Sequence, residues 1–274
     1  MSGQGRVVLE TVDLSHTYKK GVTALKGVSV RFYEGDKASV IGQNGSGKTT
    51  LVRHFNGLLR PTSGSVFLNG EDTKGKSVGE MAAKVGYVFQ NPNHQIFCVT
   101  VKEEIEVGPA NFGFTEQQKK EAVDRVTELM DLGQILNIHP LTLDYTTKKI
   151  VTIASVLTYN PDILIMDEPT GGLDERGRRM LTKIIRMMHE NGHTVIMISH
   201  DMDYVAQNSE RIVVMSQGEI IDDGAPGEIF VNSQSLARAQ IEPPQITQLD
   251  LRLGLDGPLS LNVDSFVKKF NQEV

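Results

Sequence analysis

The sequence has 274 residues, 39% of them hydrophobic and 23% charged, a balance that excludes a disordered chain and allows one large domain with or without a small appendage. A formal charge of -6 argues against a nucleic-acid binder that works through a general basic field, leaving only a local basic patch, and no nucleic-acid partner is expected. Cys98 is the single cysteine, so there is no internal disulfide framework; it fits a reducing compartment and reads as a small, partly buried apolar residue.

The chain opens on a polar stretch, residues 1–6, with no apolar core, and no secretory signal is expected there. Residues 7–9 and 28–32 read as strands, with Gly21 and the lysines before it marking a turn between them. Tyr18 falls in that turn region. Alone it could be core or surface; ahead of a phosphate-binding loop its ring offers a stacking surface for adenine.

A short apolar run at 38–41 leads into Gly42-Gln43-Asn44-Gly45-Ser46-Gly47-Lys48-Thr49-Thr50, and a helical period follows through Leu59. Glycines let backbone N–H groups close around phosphate oxygens, and the helix that follows points its positive dipole end at the same charge. Lys48 is suited to the β- and γ-phosphates and Thr49 to Mg²⁺. This is a phosphate-binding loop for a nucleoside triphosphate.

Residues 64–70 and 85–89 read as short strands. Gln90 stands at the exit of the second, just before Asn91 and Pro92; it is either a turn residue or an amide for the metal shell and the attacking water. From 101 to about 157 the periodicity turns helical, with Thr115 and Glu116 opening one stretch. Residues 161–169 then carry a continuous apolar strand ending in Asp167 and Glu168. A strand buried on both faces brings acids to the carboxyl edge of a parallel sheet, where such sheets bind ligands. Asp167 is suited to hold Mg²⁺ through water and Glu168 to polarise the water that attacks the γ-phosphate.

Asp174 follows in a glycine-bearing loop before a helix at 175–189. A further buried strand at 194–198 ends in Ser199-His200-Asp201, and His200, at that same kind of strand end, is a candidate γ-phosphate contact. Residues 211–215 and 219–222 form a hairpin around Gln217 and Gly218. After Pro243 and Pro244, two short helical patterns at 245–253 and 263–270 make a tail too small for its own core, expected to pack on the main domain or on a partner. No apolar run approaches the 18 residues of a membrane span, so action at a membrane would need other subunits.

The order of the phosphate loop, Gln90, the strand ending in Asp167 and Glu168, Leu173-Asp174 and His200 resembles the ATPase subunits of ABC transporters over roughly residues 6–235. Within that family, residues 89–97 and the tail with Gly254-Leu255-Asp256 are similar to the energy-coupling factor importers, which take up vitamins or transition-metal ions. The resemblance implies an α/β fold of the P-loop NTPase type: a mostly parallel sheet flanked by helices, an antiparallel β subdomain, a helical insertion at 101–157, and a C-terminal appendage at 236–274 after an ATPase domain at 1–235. It implies ATP and Mg²⁺ as cofactors, with Gly42, Asn44, Gly45, Ser46, Gly47, Lys48, Thr49, Thr50 and Asp174 on the nucleotide. It also implies a head-to-tail pair of ATPase subunits, a transmembrane coupling protein, a membrane substrate-binding subunit, and a peripheral place on the cytoplasmic face of the cell membrane.

The sequence departs from the family at one motif. Leu143-Asp144-Tyr145-Thr146-Thr147 stands where Leu-Ser-Gly-Gly-Gln grips the partner's γ-phosphate. Tyr145 and Thr146 add Cβ atoms where backbone approaches phosphate, and Asp144 puts an anion in place of a hydroxyl donor. Two like unit charges about 4 Å apart repel by roughly 4 kcal/mol at an effective dielectric of about 20. Asp144 is equally suited to cap the helix it precedes. A heterodimer with an intact partner is therefore favoured over a homodimer, since only the part donated in trans is damaged. A nucleotide-binding regulatory subunit with negligible turnover is the competing reading. A soluble ABC ATPase acting on DNA or ribosomes is disfavoured, because neither long coiled coils nor a second such domain is present.

Overall fold

The computed structural model describes residues 5–273; the amino-terminal part of the polar opening, residues 1–4, and Val274 lie outside the described residues. In chain order the elements are β1 (Val7–Thr17), β2 (Thr23–Tyr33), β3 (Lys37–Ile41), α1 (Lys48–Phe55), β4 (Ser63–Leu68), β5 (Glu71–Asp72), α2 (Val78–Ala82), β6 (Val85–Val88), α3 (Val101–Asn111), α4 (Glu116–Leu129), α5 (Tyr145–Leu157), β7 (Ile163–Asp167), α6 (Glu175–Glu190) and β8 (Thr194–Ile198). They continue with α7 (Met202–Asn208), β9 (Arg211–Ser216), β10 (Glu219–Gly224), α8 (Pro226–Ile229), α9 (Ser233–Ala239), α10 (Gln245–Leu253) and α11 (Val263–Glu273). The chain divides into two compact units, one made of the residues up to Gly75 together with those from Ile196 onward, the other Lys76–Val195.

The first unit holds an antiparallel sheet in the order β2-β1-β4-β5. The sequence pattern found only the ends of β1 and β2, because polar residues interrupt their middles. Thr11 is nevertheless buried, its hydroxyl donating to Val28 O at 2.9 Å, and Asp13 takes a positive φ of 48° where the register shifts. The same unit pairs β10 with β9 antiparallel and β3 with β9 parallel, Val40 opposite Val213. β3 is buried beyond Lys37 and apolar from there but for Ser39, whose buried hydroxyl is satisfied by Ser209 Oγ at 2.6 Å. Around Ile41, Val205, Ile212, Val214, Phe230 and Leu236 a core cluster forms, and Leu259 and Leu261 of the tail pack against it.

In the second unit β6 and β7 run parallel with Val88 opposite Met166, and every residue of both strands is buried. The helical stretch read at 101–157, with an opening at Thr115 and Glu116, is made of α3, α4 and α5. Thr100 and Thr115 cap α3 and α4 through reciprocal side-chain bonds with Glu103 and Gln118. Two single turns of 3₁₀ helix, Gly133–Ile135 and Pro140–Thr142, fill the gap before α5, since Pro140 cannot continue an α-helix. Gly108 lets α3 sit against Tyr159: a Cβ there would lie 2.3 Å from the ring.

Candidate active site

In the first unit the loop from Gly42 to Gly47 joins β3 to α1. A Cβ on Gly42 would lie 2.2 Å from Met215 O, and one on Gly47 2.6 Å from Ala24 O, so neither position accepts a side chain. Gly47 opens α1 in a left-handed conformation (φ 106°) with no side-chain cap, leaving the helix amides to whatever occupies the loop. The loop is braced from outside, where Gly218 N–H donates to Ser46 O at 3.0 Å and Gln43 N–H to Ala239 O at 3.2 Å. Lys48 Nζ folds back onto the loop, donating to Gly42 O at 2.7 Å and Gln43 O at 3.0 Å. Asn44 and Gly45 are exposed at the tip. The Ser46 hydroxyl is fully buried and is without a hydrogen-bond partner.

A backbone cradle closed to side chains, a buried ammonium, uncapped helix amides and an orphan hydroxyl together fit a polyphosphate. Thr49 is half-buried in the first turn of α1. Thr50 faces another way: its hydroxyl shares a 2.9 Å hydrogen bond with Tyr18 OH, and its carbonyl lies 2.7 Å from His54 Nδ1. Tyr18 thereby hangs on the phosphate helix, its ring edge-on to His16 at 4.6 Å between centroids. His200 is exposed just past β8, and Asp201 behind it caps α7 through Tyr204 N–H.

In the second unit Asp167 and Glu168 stand at the end of β7, both buried. Tyr87 OH donates to Asp167 Oδ2 at 3.0 Å. Glu168 takes φ 48°, a left-handed conformation uncommon for a residue with a long side chain and characteristic of functional loops. Gln90 sits at the exit of β6, its carbonyl receiving Lys149 Nζ at 2.7 Å and Tyr145 OH at 3.3 Å. Asp174 caps α6, accepting from Gly177 N–H at 2.8 Å, so its carboxylate already has a structural task.

Sequence reasoning missed Lys149. It is fully buried, and burial pulls its ammonium down to about 8, while Asp167 and Glu168 pull the other way. Lysines are rarely buried, so a Lys-Lys pair opening a helix reads as solvated. The usable signal was spacing: Lys149 lies four residues before Ile153 and seven before Val156, on the buried face of α5.

The segment at 143–147 is turned upon its own unit. Asp144 caps α5 through Thr147 N–H at 3.0 Å, and bonding first to the Thr147 hydroxyl and then to that amide holds its carboxyl below the usual aspartate range. The Tyr145 ring covers Gly172, where a Cβ would lie 2.6 Å from the ring. Thr146 Oγ1 accepts from Asp174 N–H at 3.4 Å.

Comparison with known proteins places this geometry. The ABC transporter family profile matches residues 25–171. The energy-coupling factor transporter ATP-binding protein EcfA of Methanoculleus marisnigri is 39% identical over 243 residues, 88% of each chain. A putative ABC transporter ATP-binding protein of Caldanaerobacter subterraneus is 39% identical over 250 residues, 91% of this chain, and the chain spans only 44% of that relative's length. Among solved structures, CbiO1 of Clostridium perfringens, part of the ABC transporter complex cbiONQ, superposes with a TM-score of 0.76 at 30% identity, covering 91% of this chain and 96% of that one. The fold is that of the P-loop NTPases, with parallel and antiparallel sheets flanked by helices. The chain belongs to the ABC transporter ATP-binding family, in its energy-coupling factor branch, whose enzymes couple ATP hydrolysis to transport.

Proposed function

We propose that this chain is an ATP-hydrolysing subunit of an energy-coupling factor-type importer for a vitamin or a transition-metal ion, working as one half of an asymmetric ATPase pair. The observation that carries the asymmetry is the state of residues 143–147: a carboxylate caps the helix amides and a tyrosine covers the neighbouring glycine, while the chain's own phosphate loop is intact. A γ-phosphate from a partner would meet Asp144, an anion, in place of free amide donors. A partner with an intact signature would complete the site that this chain's loop begins.

In that site the main-chain amides of Gly42, Asn44, Gly45, Ser46, Gly47 and Thr50 and the side chains of Lys48 and Thr49 hold the phosphates, and Tyr18 stacks on adenine. Thr49, Gln90 and Asp167 would hold Mg²⁺, which neutralises charge developing on the phosphates. Glu168 accepts a proton from the attacking water, His200 and Gln90 contact the transferred group, and Asp174 lines the nucleotide from its loop. The chain would sit peripherally on the cytoplasmic face of the membrane, held by a transmembrane coupling protein that in turn works a membrane substrate-binding subunit. Among the described residues no helix is long and apolar enough to cross a membrane. The exposed Leu249, Leu253, Val263, Val267 and Phe270 of the tail would serve the contact between the two ATPases.

ATPase turnover of the purified chain, alone and mixed with its partner ATPase, tests this. Turnover is expected to be low alone and to rise sharply in the mixture; vigorous hydrolysis by the isolated chain would sink the asymmetric pair. The self-capped segment also favours a second reading, a regulatory subunit with negligible turnover. Replacing Glu168 by Gln separates the two: uptake by the assembled transporter falls with hydrolysis if this chain's site is the motor and continues unchanged if the chain is regulatory.

A further inference from the structure

Two donors at the start of α5, one turn apart, converge on one acceptor. Tyr145 and Lys149 are four residues apart and so lie on one helix face. Tyr145 OH reaches the Gln90 carbonyl at 3.3 Å and Lys149 Nζ reaches it at 2.7 Å. The same Nζ donates to Phe89 O at 3.0 Å and to Glu168 O at 3.4 Å. An ammonium has three protons and no acceptor, so these three carbonyls match its full capacity. Burying such a group is costly without partners, and Lys149 is fully buried. Its bonds all go to main chain, which ties backbone rather than mobile side-chain ends.

The tied peptides belong to the exits of neighbouring strands. Phe89 and Gln90 follow β6, Glu168 follows β7, and the two strands pair in parallel. Glu168 holds a left-handed φ of 48°, which persists only where the surroundings over-determine it. Its carbonyl accepts from two donors, Lys149 Nζ and Gly171 N–H, the latter at 3.3 Å. The Tyr145 ring covers Gly172 in the same loop.

We propose that Tyr145 and Lys149 are positioning residues, a clamp in cis that locks the Gln90 peptide to the Glu168 peptide, so that a displacement at one strand exit is passed to the carboxylate at the other. The segment that cannot grip a partner's phosphate acquires by this a task within its own chain. The proposal rests on the hydrolytic role given above to Gln90 and Glu168.

The test compares the wild-type chain with Lys149→Met, Lys149→Arg and Tyr145→Phe. Amide exchange is read on the full chain without nucleotide; turnover and ATP affinity are read on the complex captured from membranes through a tag on this chain. In Lys149→Met, exchange at Phe89 and Gly171 is expected to accelerate together by about tenfold, with residues 42–50 unchanged. Turnover is expected to fall by about tenfold or more while ATP affinity stays within about threefold, and Lys149→Arg restores most of both. Acceleration at one exit alone or at neither overturns the clamp, as does unchanged turnover. Should Lys149→Met fail to fold, Tyr145→Phe decides: exchange rising about threefold around Gln90 supports the clamp, and no change there overturns it. A wild-type chain that binds no ATP would instead overturn the hydrolytic reading, and the exchange arm would still judge the clamp.

Discussion

At Gly42 the chain passes so close to Met215 that a methyl group would sit 2.2 Å from a carbonyl oxygen, at a φ of 151° that side chains rarely adopt. Gly42→Ala is therefore expected to displace the loop backbone, costing about 1–3 kcal/mol of stability and most of the ATP affinity, measured by thermal unfolding with and without nucleotide. Glu168→Gln is a cleaner change. It keeps the volume and removes the proposed base, so hydrolysis is expected to fall by about 10²–10⁴ while ATP binding persists, read by single-turnover kinetics against equilibrium binding. Both positions were legible in the sequence, because a glycine-rich loop between strand and helix and a paired acid at an apolar strand's end are written in contiguous residues. What Lys149 and Tyr145 bond was not, although spacing places Lys149 on the buried face of its helix. Their partners are the carbonyls of Phe89, Gln90 and Glu168, and main-chain acceptors leave no letter in the sequence.

At the scale of elements, continuous apolar runs gave β7 and β8 away, whereas α7, α8 and α9 are too short to show a helical period. The tail was legible as two helices but not as a tied pair. Asp250 on α10 is buried and receives Lys269 of α11 at 2.9 Å and Ser260 N–H at 2.6 Å. Asp250→Ala leaves the Lys269 ammonium, on a side chain only 11% exposed, with the Pro258 carbonyl at 3.1 Å, and is expected to cost about 1–3 kcal/mol of the local fold. The expected readout is proteolytic cutting at 254–258 with the phosphate loop still protected. Burial alone would raise the Asp250 carboxyl, but the bonds from Lys269 and Ser260 outweigh it and hold it below the ordinary aspartate value. Its contribution is then complete above about pH 3.9 and lost as pH falls through the lower folded value. Protease sensitivity at 254–258 should rise in that acid window and stay flat above it.

For the whole molecule, the proposed asymmetry, a complete set of groups for the chain's own nucleotide beside an altered group for a partner's, can be tested in one replacement. Exchanging Asp144-Tyr145-Thr146-Thr147 for Ser-Gly-Gly-Gln removes the capping carboxylate and the ring over Gly172 and opens the amides of α5 to an anion. Removing a like charge at about 4 Å relieves roughly 4 kcal/mol at an effective dielectric of about 20, and free amides add charge-assisted bonds. Against this stands the loss of Tyr145 from the Gln90 carbonyl, a bond of 3.3 Å, while the shorter one from Lys149 at 2.7 Å remains. A neutral hydrogen bond contributes about 1 kcal/mol net, so the electrostatic gain wins. The exchanged chain, alone in solution, is expected to hydrolyse ATP about tenfold or more faster than wild type at similar ATP affinity, with activity rising with the square of concentration as two copies pair. If its turnover instead stays at the wild-type level while the chain folds and binds ATP, the altered segment is not what limits the isolated chain, and the asymmetry must lie in the partner.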